Sequence, residues 1–211
     1  MKTIILVRHG ESETNTLKVF TGQLDASLTD MGREQARLMA EAIDVYKPDV
    51  VYTSPLERAV ETAMAICNRH GCELIKNPSF CEIYAGKWQG ITFDEIAAKY
   101  PDTYKTWKED ISKAKPEGGE SCQALYDRVT KGFRAVLDDA ADTVCIVAHA
   151  TPIRMMESYM YGGSIERAKD IFWVNNASLS IYQYDGKEFH TVKRSFCDYL
   201  GDKKTNLPKS I

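Results

Sequence analysis

No apolar run in the 211-residue chain is long enough to cross a membrane. The N-terminal run Ile4-Ile5-Leu6-Val7 is too short for a signal peptide, so a cytoplasmic protein is expected. Charge of one sign is not in excess either. With 27 Lys+Arg against 30 Asp+Glu, the formal charge of −3 argues against a nucleic-acid partner or an anionic membrane surface. Net charge leaves room, however, for one local basic pocket. The six cysteines (67, 72, 81, 122, 145 and 197) include no CxxC pair, and free thiols in a reducing compartment are the expectation. Cys67, His70 and Cys72 cluster loosely, but their spacing fits no common zinc ligand set and no second ligand pair follows. That stretch reads as a helix ending at Gly71, and neither a metal nor a cofactor is expected. There are no internal repeats, and only the last ten or so residues look loosely held. The length and a hydrophobic share of 44% suit one globular domain over 1–211.

Histidine is scarce as well, with four in the chain, and two of them follow apolar runs directly. Ile4-Ile5-Leu6-Val7 stops at Arg8-His9-Gly10, and Val144-Cys145-Ile146-Val147-Ala148 stops at His149. Runs this short read as buried strands, about 3–8 and 143–148. In an α/β sheet, ligands bind beyond the C-terminal ends of such strands. Val50-Val51-Tyr52-Thr53 reads as another strand, and Cys72–Lys76 as a third between those two groups. Thr29 is placed to cap a helix carrying Ala36, Leu38, Met39 and Ile43, which ends before Pro48. Ser54-Pro55-Leu56-Glu57 combines a capping box with a proline at the first helical position, and Thr151-Pro152 repeats that logic. A long helix is expected over about 121–139, and Asp185-Gly186 predicts a two-residue hairpin turn between Leu179–Tyr184 and Glu188–Lys193. The alternation predicts a three-layer αβα sandwich around a mainly parallel sheet. An aromatic-rich stretch of short helical pieces, about 84–119, reads as a small helical cap inserted over the pocket.

Arg8-His9, Arg58 and His149 thus converge on one edge of the sheet, where two helices also direct their N-termini. Free N–H groups and helix dipoles favour an anion there. Arginine forks match phosphate oxygens. A histidine between arginines is disfavoured as imidazolium and keeps a ring nitrogen free to attack phosphorus. A carboxylic acid is still needed to protonate the leaving alkoxide and then to activate water. Glu11 and Glu13 lie nearer His9 in sequence, and the residues alone do not choose among carboxylates.

These residues resemble the histidine phosphatase superfamily, the phosphoglycerate mutase-like family. The resemblance is carried by Arg8-His9-Gly10-Glu11 with Asn15, Phe20-Thr21-Gly22-Gln23, Ser54 with Arg58-Ala59, Glu82, Gly118-Gly119-Glu120-Ser121, and Ala148-His149 with Pro152. It implies His9 as nucleophile through a phosphohistidine, and Arg8, Arg58 and His149 as the phosphoryl clamp. Glu82 would be the proton donor, with Asn15, Thr21 and Gly22 contacting phosphate or substrate, and no metal. Ala150 stands where glycine is usual after the histidine, which predicts a slightly altered turn. The compact run from Glu82 to Gly90 is similar to the small phosphatase branch, although Gln89 stands where glutamate is common. The expected function is a metal-independent phosphomonoester hydrolase acting on small phosphorylated metabolites, broad-specificity or α-ribazole phosphatase-like. The alternatives are a phosphoglycerate mutase and a non-catalytic phosphate-binding module. The expected partner is a small phosphorylated metabolite or free phosphate, and the protein is expected as a monomer or homodimer.

Overall fold

Residues 1–205 are described by the computed structural model. The chain runs β1 (Lys2–Arg8), α1 (Glu13–Thr16), α2 (Asp30–Ala42), β2 (Val50–Thr53), α3 (Glu57–His70) and β3 (Glu73–Lys76). It continues through α4 (Phe93–Lys99), α5 (Pro101–Glu109), α6 (Cys122–Leu137), β4 (Thr143–Ala148), α7 (Ala150–Gly162), β5 (Leu179–Tyr184) and β6 (Phe189–Phe196). One six-stranded sheet has the order β3-β2-β4-β1-β5-β6. β3, β2, β4 and β1 are parallel, and β5 and β6 return as an antiparallel hairpin. The expected αβα sandwich is therefore observed. Among the described residues, no helix is long and apolar enough to cross a membrane.

The unbroken apolar run of β1 is explained by burial on both faces. Ile4 and Leu6 join the cluster under α6 and α7, while Ile5 and Val7 join the one under α2 and α3. Trp88 is fully buried and meets Phe20, Tyr104 and Trp107 edge-on at 5.7–6.1 Å. These rings pack on one another, and the Trp88 indole N–H donates to Glu117 Oε2 at 2.8 Å.

Three local expectations are corrected. α3 begins at Glu57 with Leu56 as its N-cap, two residues beyond the expected start; Leu56 is extended, and the Ser54 hydroxyl accepts from Leu56 N at 3.3 Å while meeting His149 Nε2. α7 begins at Ala150 with His149 as N-cap, so Thr151 and Pro152 lie inside its first turn. Ala150 is thus an ordinary helical residue, and the turn needs no glycine there. The β5–β6 connection spans four residues, 185–188, because the Asp185 carboxylate gathers the Lys187 and Glu188 amides at 2.8 Å each. Of the C-terminal stretch expected to be loosely held, 206–211 lie outside the described residues. Lys203 and Thr205 are held by the buried Gln35 side chain, which donates to Lys203 O at 2.7 Å and Thr205 Oγ1 at 3.0 Å. His70 bonds Ala40 O of α2 at 3.0 Å, and the Cys67 and Cys72 sulfurs lie 3.6 Å apart.

Candidate active site

Strand register builds the site. Arg8 pairs with Ala148 and Thr53 with Val147, so His9, His149 and Ser54 leave neighbouring parallel strands side by side. The two imidazoles lie 5.0 Å apart, centroid to centroid, and both are buried. Arg58 reaches the same point from the first turn of α3, its Nε donating to His9 Nε2 at 3.3 Å. The loop after His9 lies so close to α2 that a Cβ on Gly32 would come within 2.0 Å of Glu11 O.

The His9 tautomer follows from its neighbours. Nδ1 lies 2.7 Å from Gly10 O, which can only accept, so Nδ1 carries the proton and Nε2 keeps its lone pair. Burial, then Arg58, then Arg8 hold the His9 pKa well below the usual histidine value, and the ring stays neutral. His149 is shifted in the same direction by burial and by Arg58. Its Nε2 meets Ser54 Oγ at 2.8 Å, and its Nδ1 is buried without a hydrogen-bond partner among the described residues.

Arg8 donates to Val174 O at 2.7 Å, whereas its Nε is a buried donor with no partner among the described residues. Arg58 holds the 22–24 loop through Gly22 O at 2.8 Å and Leu24 O at 2.9 Å. Burial lowers each guanidinium to about 10, Glu82 opposing in both cases, so both remain charged at neutral pH. Two buried cations and two orphaned polar atoms gathered around His9 fit a tetrahedral oxyanion.

Glu82 is the carboxylate whose field reaches both arginines. It shows some surface to the cleft, yet the protein crowds around it, and burial raises its pKa above the usual glutamate value. Its two oxygens accept from the main-chain N–H groups of Ile83 at 2.7 Å and Thr151 at 3.4 Å, which partly offset that rise. Glu11 instead accepts from Thr29 Oγ1, and Glu13 is exposed. Asn15 Oδ1 accepts from Ser12 N at 3.0 Å, and the Thr21 hydroxyl donates to Thr14 Oγ1 at 2.8 Å. Gly22 meets the site through its carbonyl.

Sequence reading missed two supports. Arg128 donates to Ser79 O and Glu82 O, both at 2.9 Å, and pairs with Glu120 at 2.7 Å. Asn176 donates to His9 O at 3.1 Å. Gln89, where glutamate was expected, accepts from Gln23 N at 2.9 Å through Oε1, a role the amide oxygen fills as well as a carboxylate would.

Fold and site define an α/β enzyme with a cationic, imidazole-lined oxyanion cleft at the strand ends. The comparisons with known proteins narrow that class. The family model for the histidine phosphatase superfamily (branch 1) matches residues 4–196. Phosphoserine phosphatase 1 of Hydrogenobacter thermophilus is 34% identical over 216 residues, covering 100% of both chains. Glucosyl-3-phosphoglycerate phosphatase of Mycobacterium tuberculosis is 35% identical over 204 residues, 91% of each chain. The solved structure of YhfR from Bacillus stearothermophilus shares the fold, with a TM-score of 0.88 at 24% identity over 95% of this chain and 100% of that one. The chain belongs to the histidine phosphatase superfamily, in its small-phosphatase branch, and is an enzyme of that type.

Proposed function

We propose that the enzyme hydrolyses phosphomonoesters of small metabolites in two displacements at His9, without a metal. The neutral Nε2 of His9 attacks phosphorus, and the P–O bond to the leaving group breaks as Glu82 gives that oxygen its proton. The ionised Glu82 then takes a proton from water. The water oxygen displaces His9 Nε2 from phosphorus, which frees the ring and releases inorganic phosphate. Arg8 and Arg58 offset the charge that grows on the equatorial oxygens, joined by His149 Nδ1–H in the tautomer whose Nε2 accepts from the Ser54 hydroxyl. Residues 84–119 would cap the cleft and select the leaving group. The observation that carries this reading is the orphaned pair, Arg8 Nε and His149 Nδ1, buried beside a nucleophile whose tautomer is fixed. The substrate class is a small phosphorylated metabolite, handled broadly or as an α-ribazole phosphatase handles its ester. Phosphoserine is the first ester to try, given the relative matched along the whole chain.

A panel of phosphomonoesters assayed with chelator present, beside phosphoglycerate isomerisation with and without bisphosphoglycerate, tests the reading. Hydrolysis that survives the chelator and outruns isomerisation is expected, with acid-labile phosphate on the protein. Isomerisation far exceeding hydrolysis would reverse the assignment to a mutase. His9→Ala is expected to abolish both turnover and labelling, and an active variant removes His9 as nucleophile.

A further inference from the structure

Asn176 lies in the loop before β5, only 1% exposed, and none of the elements of the proposed chemistry uses it. Its Nδ2 faces three oxygens: His9 O at 3.1 Å, Gly10 O at 3.3 Å and Asn15 Oδ1 at 3.1 Å. Main-chain carbonyls only accept, so the Asn176 atom turned toward them must be its NH2 group. The same logic fixes Asn15. The atom that faces Asn176 also receives the main-chain N–H of Ser12 at 3.0 Å and the Ser12 hydroxyl at 3.1 Å, and is therefore oxygen. With its oxygen held by three donors, Asn15 has its own NH2 free of any hydrogen bond among the described residues. From the same loop, the Ala177 N–H donates to His9 O at 3.1 Å.

We propose that Asn176 is a positioning residue, tying the nucleophile's peptide and the Asn15 amide to one point so that the Asn15 NH2 faces the transferred phosphoryl group. The inference rests on the reading that Asn15 meets that group. Asn176 touches no substrate; it acts through Asn15 and the His9–Gly10 main chain. Its dependence on Asn15 is what separates positioning from a loop-closing role, which would act independently of whether Asn15 is present.

The test is a double-mutant cycle with 4-nitrophenyl phosphate as substrate and inorganic phosphate as competitor, thermal midpoints being recorded for every variant. Asn15→Ala and Asn176→Leu are each expected to weaken phosphate inhibition about tenfold, the loss of one hydrogen bond to a charged acceptor. The double variant should be no more than about twofold worse than Asn15→Ala, because two groups acting through one contact do not add. Multiplied losses of about 100-fold would overturn the proposal. Should Asn176→Leu not fold, Asn15→Asp decides. Its carboxylate still satisfies the three donors, so its midpoint should be at least that of Asn15→Ala while phosphate inhibition falls further. A midpoint below that of Asn15→Ala, or unchanged phosphate inhibition, would overturn it. Wild-type protein that neither hydrolyses the ester nor responds to phosphate would break the functional reading instead.

Discussion

At the scale of single residues, the site separates two proton inventories by environment. Burial and two guanidinium groups keep His9 neutral, while burial keeps the proton on Glu82 to higher pH than usual. The signs follow directly. Because the folded His9 pKa lies well below 6.5, the proposed nucleophile is not lost as pH falls through 6.5. Because the Glu82 pKa is raised above 4.5, the proposed acid loses its proton as pH climbs through that raised value, and the proposed phosphorylation step should slow. A kcat/KM profile for an alkyl phosphate, corrected for the ester's own ionisation, should therefore hold level through 6.5 on the acid side and decline toward the alkaline side. Glu82→Gln should remove the alkaline decline and cost on the order of 10²–10⁴ in kcat for alkyl esters, the usual worth of a general acid. The loss for 4-nitrophenyl phosphate should be much smaller, since that leaving group departs without a proton. An unchanged alkaline limb in Glu82→Gln would assign the acid elsewhere.

At the scale of elements, the acid's segment is held by α6 rather than by its own turn. Arg128 spans Ser79 O, Glu82 O and the Glu120 carboxylate, and Glu120 Oε1 in turn accepts from Tyr84 N at 2.8 Å. Arg128→Met leaves Ser79 O without its side-chain donor, whereas Glu82 O keeps Gln23 Nε2 at 2.9 Å and Glu120 keeps the Tyr84 N–H. At roughly 1–3 kcal/mol for an unsatisfied buried group, urea unfolding should show a loss of about 2 kcal/mol. The same variant should lower kcat more for alkyl esters than for 4-nitrophenyl phosphate, as expected of a misplaced Glu82. Equal losses on both esters would mean that Arg128 serves the fold alone. What the sequence revealed at this scale depended on period and burial. The runs 4–7 and 144–148 are apolar on both faces, so β1 and β4 and the adjacent histidines could be read from pattern. Capping logic found α2, where Thr29 accepts from Gly32 N at 3.0 Å, and misplaced the starts of α3 and α7 by two residues each. At α3 the Ser54 hydroxyl keeps a bond to Leu56 N but also serves His149 from a distant strand, a contact no local pattern shows. Asn176 and Arg128 carried no local signal. An asparagine before a strand reads as a turn residue and an arginine on a helix as a solvated one, until the distant carbonyls they serve are in place.

At the scale of the whole molecule, the cleft concentrates like charge where the fold would otherwise bury apolar atoms. Burial depresses both guanidinium groups, Arg58 depresses Arg8 further, and Arg8 Nε has no partner among the described residues. A desolvated cation with an orphaned donor destabilises the empty protein, and an oxyanion bound between the arginines reverses the sign. Ligand linkage then makes stability depend on phosphate, by about 2.7 kcal/mol at 100 times the dissociation constant. Removing one of the two charges should uncouple these effects. Arg8→Met keeps most of the buried volume and gives up one hydrogen bond, to Val174 O. In phosphate-free buffer its thermal midpoint should equal or exceed that of the wild type. In saturating phosphate it should fall below, because the wild type rises and the variant does not. Differential scanning calorimetry across a phosphate series reads both ends of the comparison. A variant less stable than wild type in the absence of phosphate, by as much as in its presence, would show that Arg8 stabilises the fold. The reversal of order with phosphate is what marks a cleft shaped for binding at the expense of the empty structure.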